Sequence, residues 1–152
     1  MQKIEKLFLS FLICLLLANI GIAQNTNFDL EGTFNRELTP EQRKAIKDNI
    51  YNYSQEINAN NSNAHAHLNR GVMYAKLGLF PDAISDYNKS IRIDSTIPEA
   101  YYNRGLARAR FRFTKFSCID IKRAAEMGLS VAEKSYENNC GFFKMYLGEI
   151  EK

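Results

Sequence analysis

The sequence predicts an all-α fold, a short right-handed solenoid of antiparallel helix pairs. The main evidence is an internal repeat, because Asn69-Arg70-Gly71 returns 34 positions later as Asn103-Arg104-Gly105. Self-similarity at such a period is typical of stacked supersecondary units. Apolar residues recur at helical spacing within each copy, and glycine or proline separates the helical stretches. The chain therefore contains two helix–turn–helix units.

The first copy reads as two helices joined by a tight turn. Helical spacing runs from Ala64 to Leu77, and Gly78 ends this helix because glycine adopts the left-handed conformation of a helix C-terminus. Pro81 marks the start of the second helix, where its missing N–H is not needed. The polar run Asp94-Ser95-Thr96 then ends that helix.

The second copy repeats this plan. Pro98 opens its first helix, which is expected to run to about Phe111. Thr114 is the expected N-cap of its second helix, and Gly128 is expected to end it. The two copies therefore predict four consecutive helices of similar length.

The spacing of small and aromatic residues in the first copy resembles the tetratricopeptide repeat family. The small, aromatic, small and aromatic positions of that family hold Gly71, Tyr74, Ala83 and Tyr87. Small residues let two helices cross closely, so Gly71 and Ala83 are expected at one crossing. The departures from the family pattern are His67, Arg70 and Ser95 in the first copy and Arg108, Ser117 and Ile121 in the second. The resemblance covers roughly residues 64–128.

Further helices are expected on both sides of the two units. Thr39-Pro40-Glu41-Gln42 combines an N-cap, a proline at the first helical position and a capping-box glutamine, so Pro40–Ala59 is predicted to be a helix. Ser130 is expected to cap a terminal helix, about Val131–Asn139, that covers the last apolar face of the array. The aromatic tail, residues 141–152, either packs on this cap or forms an exposed patch for a partner.

The predicted layout has three parts. Residues 1–23 are a signal peptide, 24–38 are a flexible lead-in, and 39–152 are a helical domain. Within this domain the divisions are a degenerate half repeat at 39–60, repeat 1 at 64–97, repeat 2 at 98–128, and a capping helix and tail at 129–152.

The signal peptide is predicted from a basic start and an apolar run. Lys3 and Lys6 precede the apolar stretch 7–22, and Gly21 and Ala23 are small residues suited to cleavage before Gln24. We therefore expect an exported protein, periplasmic or secreted. The alternative is a protein anchored in the membrane by an uncleaved N-terminal segment.

The charge of the chain argues against a nucleic-acid partner. Loss of residues 1–23 would leave 129 residues and lower the formal net charge from +3 to +2. Four arginines fall on one predicted helix, but nucleic-acid binding would need a broader basic stripe with stacking aromatics. The expected partner is a protein or an extended peptide, and a homo-oligomer stays open.

Export would leave Cys118 and Cys140 as the cysteines of the mature chain. Their midpoint is residue 129, in the predicted turn between two antiparallel helices, so the two side chains are expected to lie side by side. An oxidising compartment would favour a disulfide between them. Two buried free thiols are the alternative.

No motif of known catalytic chemistry occurs in the sequence. It has no nucleophile elbow, no phosphate-binding glycine loop and no His–Glu metal motif. His65 and His67 stand two apart on a predicted helix and so point to different sides. We therefore expect no catalytic residue, no metal site, no cofactor and no enzymatic activity.

The resemblance implies a groove, because the first helix of each pair lines the concave side of such a solenoid. The implied peptide-binding residues are His65, Asn69, Val72, Lys76, Glu99, Tyr102, Asn103, Leu106 and Arg110. Asparagine amides can bond both the N–H and the C=O of an extended peptide. Lys76 and Arg110, one repeat apart, could hold a carboxylate. Arg70 and Arg104 each have an Asp 16 residues later, and these pairs are expected to fix helix packing.

Two functions of different class follow from this sequence. In the first, the protein is an adaptor or scaffold of the cell envelope that binds a protein or peptide in its groove. In the second, it is a structural or assembly subunit of an envelope complex that uses its capping helix and aromatic tail. The sequence does not name the partner in either case.

Overall fold

The computed structural model describes residues 37–112 and 114–141, and their regular structure is entirely α-helical. The helices are α1 Pro40–Ala59, α2 Ala64–Lys76, α3 Phe80–Ile93, α4 Pro98–Arg112, α5 Lys115–Glu126 and α6 Ser130–Asn139. Each helix packs on the next one along the chain, and α2 also contacts α4 directly. The predicted all-α solenoid is therefore confirmed.

Three predicted segments lie outside the described residues. They are the signal peptide at 1–23, nearly all of the lead-in at 24–38 and the aromatic tail after Gly141. Among the helices that the structure does describe, none is both long enough and apolar enough to cross a membrane.

The start of α1 has the predicted capping box. The N–H of Gln42 donates to Thr39 Oγ1 at 3.2 Å, and the N–H of Thr39 donates to Gln42 Oε1 at 3.0 Å. Pro40 is the first helical residue, where its missing N–H leaves no bond unmade. Local sequence therefore fixes where this helix begins.

The turns after α2 and α5 share one geometry. Gly78 has a φ of 76° and Gly128 a φ of 91°, in the left-handed region where a side chain would be strained. The next residue then bonds back into the helix: the N–H of Leu79 donates to the oxygen of Tyr74 at 3.0 Å, and that of Leu129 to Ala124 at 3.1 Å. Both predicted glycine stops are confirmed.

The prediction that Ser130 caps the last helix is wrong. Ser130 is the first residue of α6, and Leu129 holds the N-cap position without a side-chain bond. Because the N–H of Leu129 is still bonded to α5, the chain passes from one helix into the next with no separate capping residue. A cap that the sequence did not reveal is Asn63, whose Oδ1 accepts from the N–H of Ala66 at 3.1 Å at the start of α2.

The close helix crossings lie where the small residues predict them. A Cβ added to Gly71 would lie 2.7 Å from Tyr87 Cε1 and 3.2 Å from the oxygen of Ala83. A Cβ added to Gly105 would lie 2.8 Å from Ile121 Cγ1. Ile121 therefore packs over its glycine as Tyr87 does, which explains why the second unit tolerates an aliphatic residue at this position.

The two predicted Arg–Asp pairs are present and bidentate. Arg70 Nε and Nη2 donate to the two carboxylate oxygens of Asp86, both at 2.8 Å. Arg104 Nε and Nη2 donate to Asp120 at 2.9 and 2.6 Å. Each pair joins the two helices of one unit, and both carboxylates are buried. Hydrogen bonding to Asp86 raises the pKa of Arg70, so this guanidinium stays charged.

The same arginines also bond to the helix that precedes their own unit. Arg70 Nη1 donates to Ser54 Oγ on α1 at 3.0 Å, and Arg104 Nη1 donates to Asn88 Oδ1 on α3 at 2.7 Å. Each arginine thus joins three helices. We call these two sets of contacts, centred on Arg70 and Arg104, the arginine ladder.

Two departures from the family pattern supply each buried carboxylate with a second partner. His67 Nδ1 lies 3.3 Å from Asp86 Oδ1 in the first unit. In the second unit, Arg108 Nη1 donates to Asp120 Oδ2 at 2.6 Å. These two residues stand where the family more often has aromatic side chains, and the additional polar contacts help to satisfy carboxylates that are removed from water.

Two cysteines meet where the cap packs against the last unit. Cys118 on α5 and Cys140 after α6 have their sulfur atoms 2.08 Å apart, with a sequence separation of 22, and both side chains are fully buried. The two residues flank the α5–α6 turn as predicted. A bridge here fixes α6 against α5.

Breaking the arginine ladder should destabilise the fold strongly. We expect Arg70→Ala to lower the free energy of unfolding by about 3–5 kcal/mol, because it leaves the buried Asp86 carboxylate without its main partner. The control is Lys44→Ala, which removes an exposed pair with Asp48 and should change the free energy of unfolding far less, because water screens exposed ion pairs. Urea unfolding followed by helical circular dichroism measures both, and equal losses would contradict this role for Arg70.

The cysteine bridge should be detectable by mass spectrometry. Protein purified from its own cells, with thiols blocked at lysis and no reductant, should yield a linked peptide containing Cys118 and Cys140. Reduction should lower the free energy of unfolding by about 3 kcal/mol, because a closed loop of this length restricts the unfolded chain. Recovery of both cysteines as blocked thiols would show that the bridge is absent.

Candidate functional site

The candidate groove is formed by α2 and α4, the first helices of the two units. These helices contact each other, so the rows of side chains on their groove-facing sides, here called stripes, lie next to one another. On α2 the stripe is His65, Asn69, Val72 and Lys76, and on α4 it is Glu99, Tyr102, Asn103, Leu106 and Arg110. The spacing places each stripe on one face of its helix.

The members of the two stripes differ in exposure. The exposed ones are His65, Lys76 and Glu99, and the half-buried ones are Asn69, Val72, Tyr102, Asn103 and Arg110. Leu106 is buried, because it packs against the first unit. The groove thus has charged residues along its edges, amides and a valine on its walls, and Leu106 in its floor.

A cavity of about 10 Å³, enough for one water molecule, lies between the two units beside Leu106. It is lined by Ala75, Phe80 and Tyr87 of the first unit and by Asn103, Leu106, Ala107 and Arg110 of the second. Neither Phe80 nor Tyr87 is among the predicted groove residues. Burial raises the pKa of Tyr87, and the neighbouring Asp86 carboxylate adds to this effect, so the phenol stays protonated.

Arg110 differs from the other arginines of α4 that line the interior. Arg104 and Arg108 bind Asp120, whereas Nε and Nη2 of Arg110 are buried and have no hydrogen-bond partner among the described residues. Buried donors without partners are costly, most of all on a charged group. This guanidinium therefore has capacity for an acceptor at the floor of the groove.

The groove amides are also without partners. Neither Asn69 nor Asn103 makes a side-chain hydrogen bond within residues 37–112 and 114–141. The two residues are one repeat apart, at the same position of their units. Together they offer two amide donors and two carbonyl acceptors to a ligand.

A larger cleft lies between α4 and α5, with a volume of about 260 Å³. Its charged residues already pair with one another. Arg104 binds Asp120, and Glu126 lies 3.2 Å from Lys122 and 3.8 Å from Arg123. The groove, where Asn69, Asn103 and Arg110 have polar atoms without partners among the described residues, is therefore the better candidate for binding.

The two histidines lie on different sides of α2, as their spacing predicts. His65 is exposed at the groove, whereas His67 is buried between Asp86 and the backbone oxygen of Asn61. Only His65 is therefore available to a ligand.

Comparisons with known proteins agree with this architecture. A family model described as a TPR repeat matches residues 73–110, which span parts of both units. Comparison with curated proteins found no match. Among solved structures, the TPR domain of OM64 from Arabidopsis is 26% identical, with a TM-score of 0.60 over 63% of this chain and 81% of that one.

Two other solved structures show the same fold at lower identity. The first TPR of Spaghetti (RPAP3), bound to the HSP90 peptide SRMEEVD, is 22% identical, with a TM-score of 0.62 over 68% of this chain and 84% of that one. The TPR2B domain of yeast Sti1, in its pHsp70 complex, is 23% identical, with a TM-score of 0.60 over 64% of this chain and 85% of that one. The matched repeat at residues 73–110 and the likeness of the stacked helix pairs to these solved structures show that this chain has the tetratricopeptide repeat fold.

Proposed function

We propose that this protein is a non-enzymatic adaptor of the cell envelope that binds a protein or an extended peptide in the groove between α2 and α4. The observation that carries the proposal is a set of polar groups in this groove that find no partner within the described part of the chain, namely the amides of Asn69 and Asn103 and the Nε and Nη2 atoms of Arg110. Groups of this kind gain most from a ligand that supplies their missing bonds.

An extended peptide fits this chemistry. Its backbone offers N–H and C=O groups at regular intervals, which the two amides can bond from one repeat to the next. A carboxylate on such a peptide, from a side chain or a C-terminus, would suit the donors of Arg110 and the exposed ammonium of Lys76.

The fold neighbours support binding of this general kind. The Spaghetti domain is seen with an HSP90 peptide, and the yeast Sti1 domain is seen in a complex with pHsp70. The tetratricopeptide fold is typically an interaction module without enzymatic activity. This supports a protein-binding role. The contacts proposed for the ligand are argued from the groove residues of this chain and not from those of the neighbours.

The envelope location rests on the N-terminal sequence and on the cysteines. The basic start and apolar run of residues 1–23 favour export, and an oxidising compartment would maintain a bridge between Cys118 and Cys140. The alternative function, an assembly subunit that binds through its capping helix and residues 141–152, uses the same location.

Export should be visible at the mature N-terminus. We expect N-terminal sequencing of the protein from its own cells to begin at or near Gln24, because Ala23 ends the segment that suits cleavage. Fractionation should recover this species outside the cytosol. A full-length chain in the cytosol would contradict export, and a full-length chain in the membrane would support the anchored alternative.

The groove can be tested by capture of partners from the envelope fraction. The tagged full chain should retain a partner that the variant Asn69→Ala with Asn103→Ala binds about tenfold or more weakly, since each lost hydrogen bond costs about 0.5–1.5 kcal/mol. The matched control is Asn52→Ala with Asn58→Ala, which removes two exposed amides from α1 and should change nothing.

The same experiment separates the two functions. A partner kept by the groove variant but lost on deletion of residues 141–152 would favour the assembly subunit and contradict the adaptor. Circular dichroism of each variant shows whether the helices are intact, so that a loss of binding is not mistaken for unfolding.

A further inference from the structure

One edge of the solenoid carries the turns within the two units. The pairs α2–α3 and α4–α5 are stacked in the same orientation, so both turns project on the same side. They are neighbours in space, because Ala75 and Phe80 at the first turn line one cavity with Arg110 near the second.

Aromatic and basic side chains surround the α4–α5 turn. Phe111 and Phe116 are 64% and 55% exposed, although phenylalanine is usually buried. Arg112 and Lys115 are exposed beside them and have no ion-pair partner among the described residues. Lys115 Nζ lies 5.5 Å from the centre of the Phe116 ring. The segment 110–116 contains no acidic residue.

The neighbouring turn extends this surface. Leu79 is an exposed apolar residue and Lys76 an exposed cation at the α2–α3 turn. Acidic residues also occur on this side, namely Glu37 and Glu41 at the start of α1, Asp82 at the start of α3 and Glu137 near the end of α6. Within the α4–α5 turn itself, the charged residues from 110 to 116 are all basic.

We propose that this basic–aromatic edge, formed by Lys76, Leu79, Phe111, Arg112, Lys115 and Phe116, docks on an anionic lipid surface. Exposed phenylalanine rings enter the boundary between headgroups and acyl chains, while lysine and arginine attract anionic headgroups. The α2–α3 and α4–α5 turns project from the solenoid. They can therefore contact a lipid surface, which is fluid and does not require a complementary shape in the protein. This docking does not depend on the N-terminal segment. It shares Lys76 with the groove but does not use Asn69 or Asn103.

A tryptophan reporter tests the contact directly, because the chain contains no tryptophan. Phe111→Trp in the full chain should shift its emission to the blue when vesicles of equal parts phosphatidylcholine and phosphatidylglycerol are added. Phosphatidylcholine vesicles alone should give no shift. The matched control is Tyr51→Trp on α1, since Tyr51 is 64% exposed, as is Phe111. It should not respond even if another part of the chain holds the protein on the vesicle.

Removing the cations should weaken the response. In the Phe111→Trp background, Arg112→Gln with Lys115→Gln should raise the lipid concentration at half-maximal shift about 25-fold, since each cation near an anionic surface is worth about fivefold in affinity. Phe116→Trp provides a second reporter if the first variant does not fold.

Several outcomes would overturn the proposal. They are no shift from either reporter, an equal shift from Tyr51→Trp, an equal shift with neutral vesicles, and no effect of the glutamine substitutions. A blue shift with duplex DNA at the same phosphate concentration, and none with vesicles, would assign the edge to nucleic acid instead.

Discussion

The buried carboxylates of Asp86 and Asp120 are the constraint on which the packing of both helix pairs depends. Each accepts two bonds from an arginine of the facing helix, and each arginine also bonds to Ser54 or Asn88 on the helix that precedes its unit. A buried charge without partners is costly, so the helices are held in the one register that satisfies all of these bonds. This register places the stripes of α2 and α4 side by side and thereby forms the groove.

Much of this could be predicted from the sequence wherever one residue determines local geometry. Gly78 and Gly128 end helices because only glycine adopts their backbone conformation without strain, and Thr39 with Gln42 specifies a helix start. The arginine–aspartate pairs were predictable because their separation recurs in both units. Ser130 was wrongly predicted to be an N-cap. A serine before an apolar run predicts a cap only where the preceding residue no longer bonds to the helix before it, and the N–H of Leu129 still bonds to Ala124.

The remaining features depend on contacts between units, for which a single sequence has no signature. Ser54 and Asn88 are ordinary polar residues until an arginine of the next pair reaches them. The resemblance to the family implied the groove stripes. It did not imply that two nitrogens of Arg110 lack partners among the described residues, because their burial depends on Phe80 and Tyr87 of the first unit. The exposure of Phe111 and Phe116 likewise contradicts what composition alone would suggest.

The arginine ladder also limits how far such a protein could grow by duplication. Ser54 and Asn88 stand 34 residues apart, and the next position in that series is Lys122. Ser54 and Asn88 offer an oxygen to the guanidinium of the following pair, whereas lysine has only donors and a positive charge. A further unit of the same kind placed after α5 would bring its arginine against this cation. Extension of the array by duplication would therefore require a substitution at Lys122 as well as a duplicated repeat.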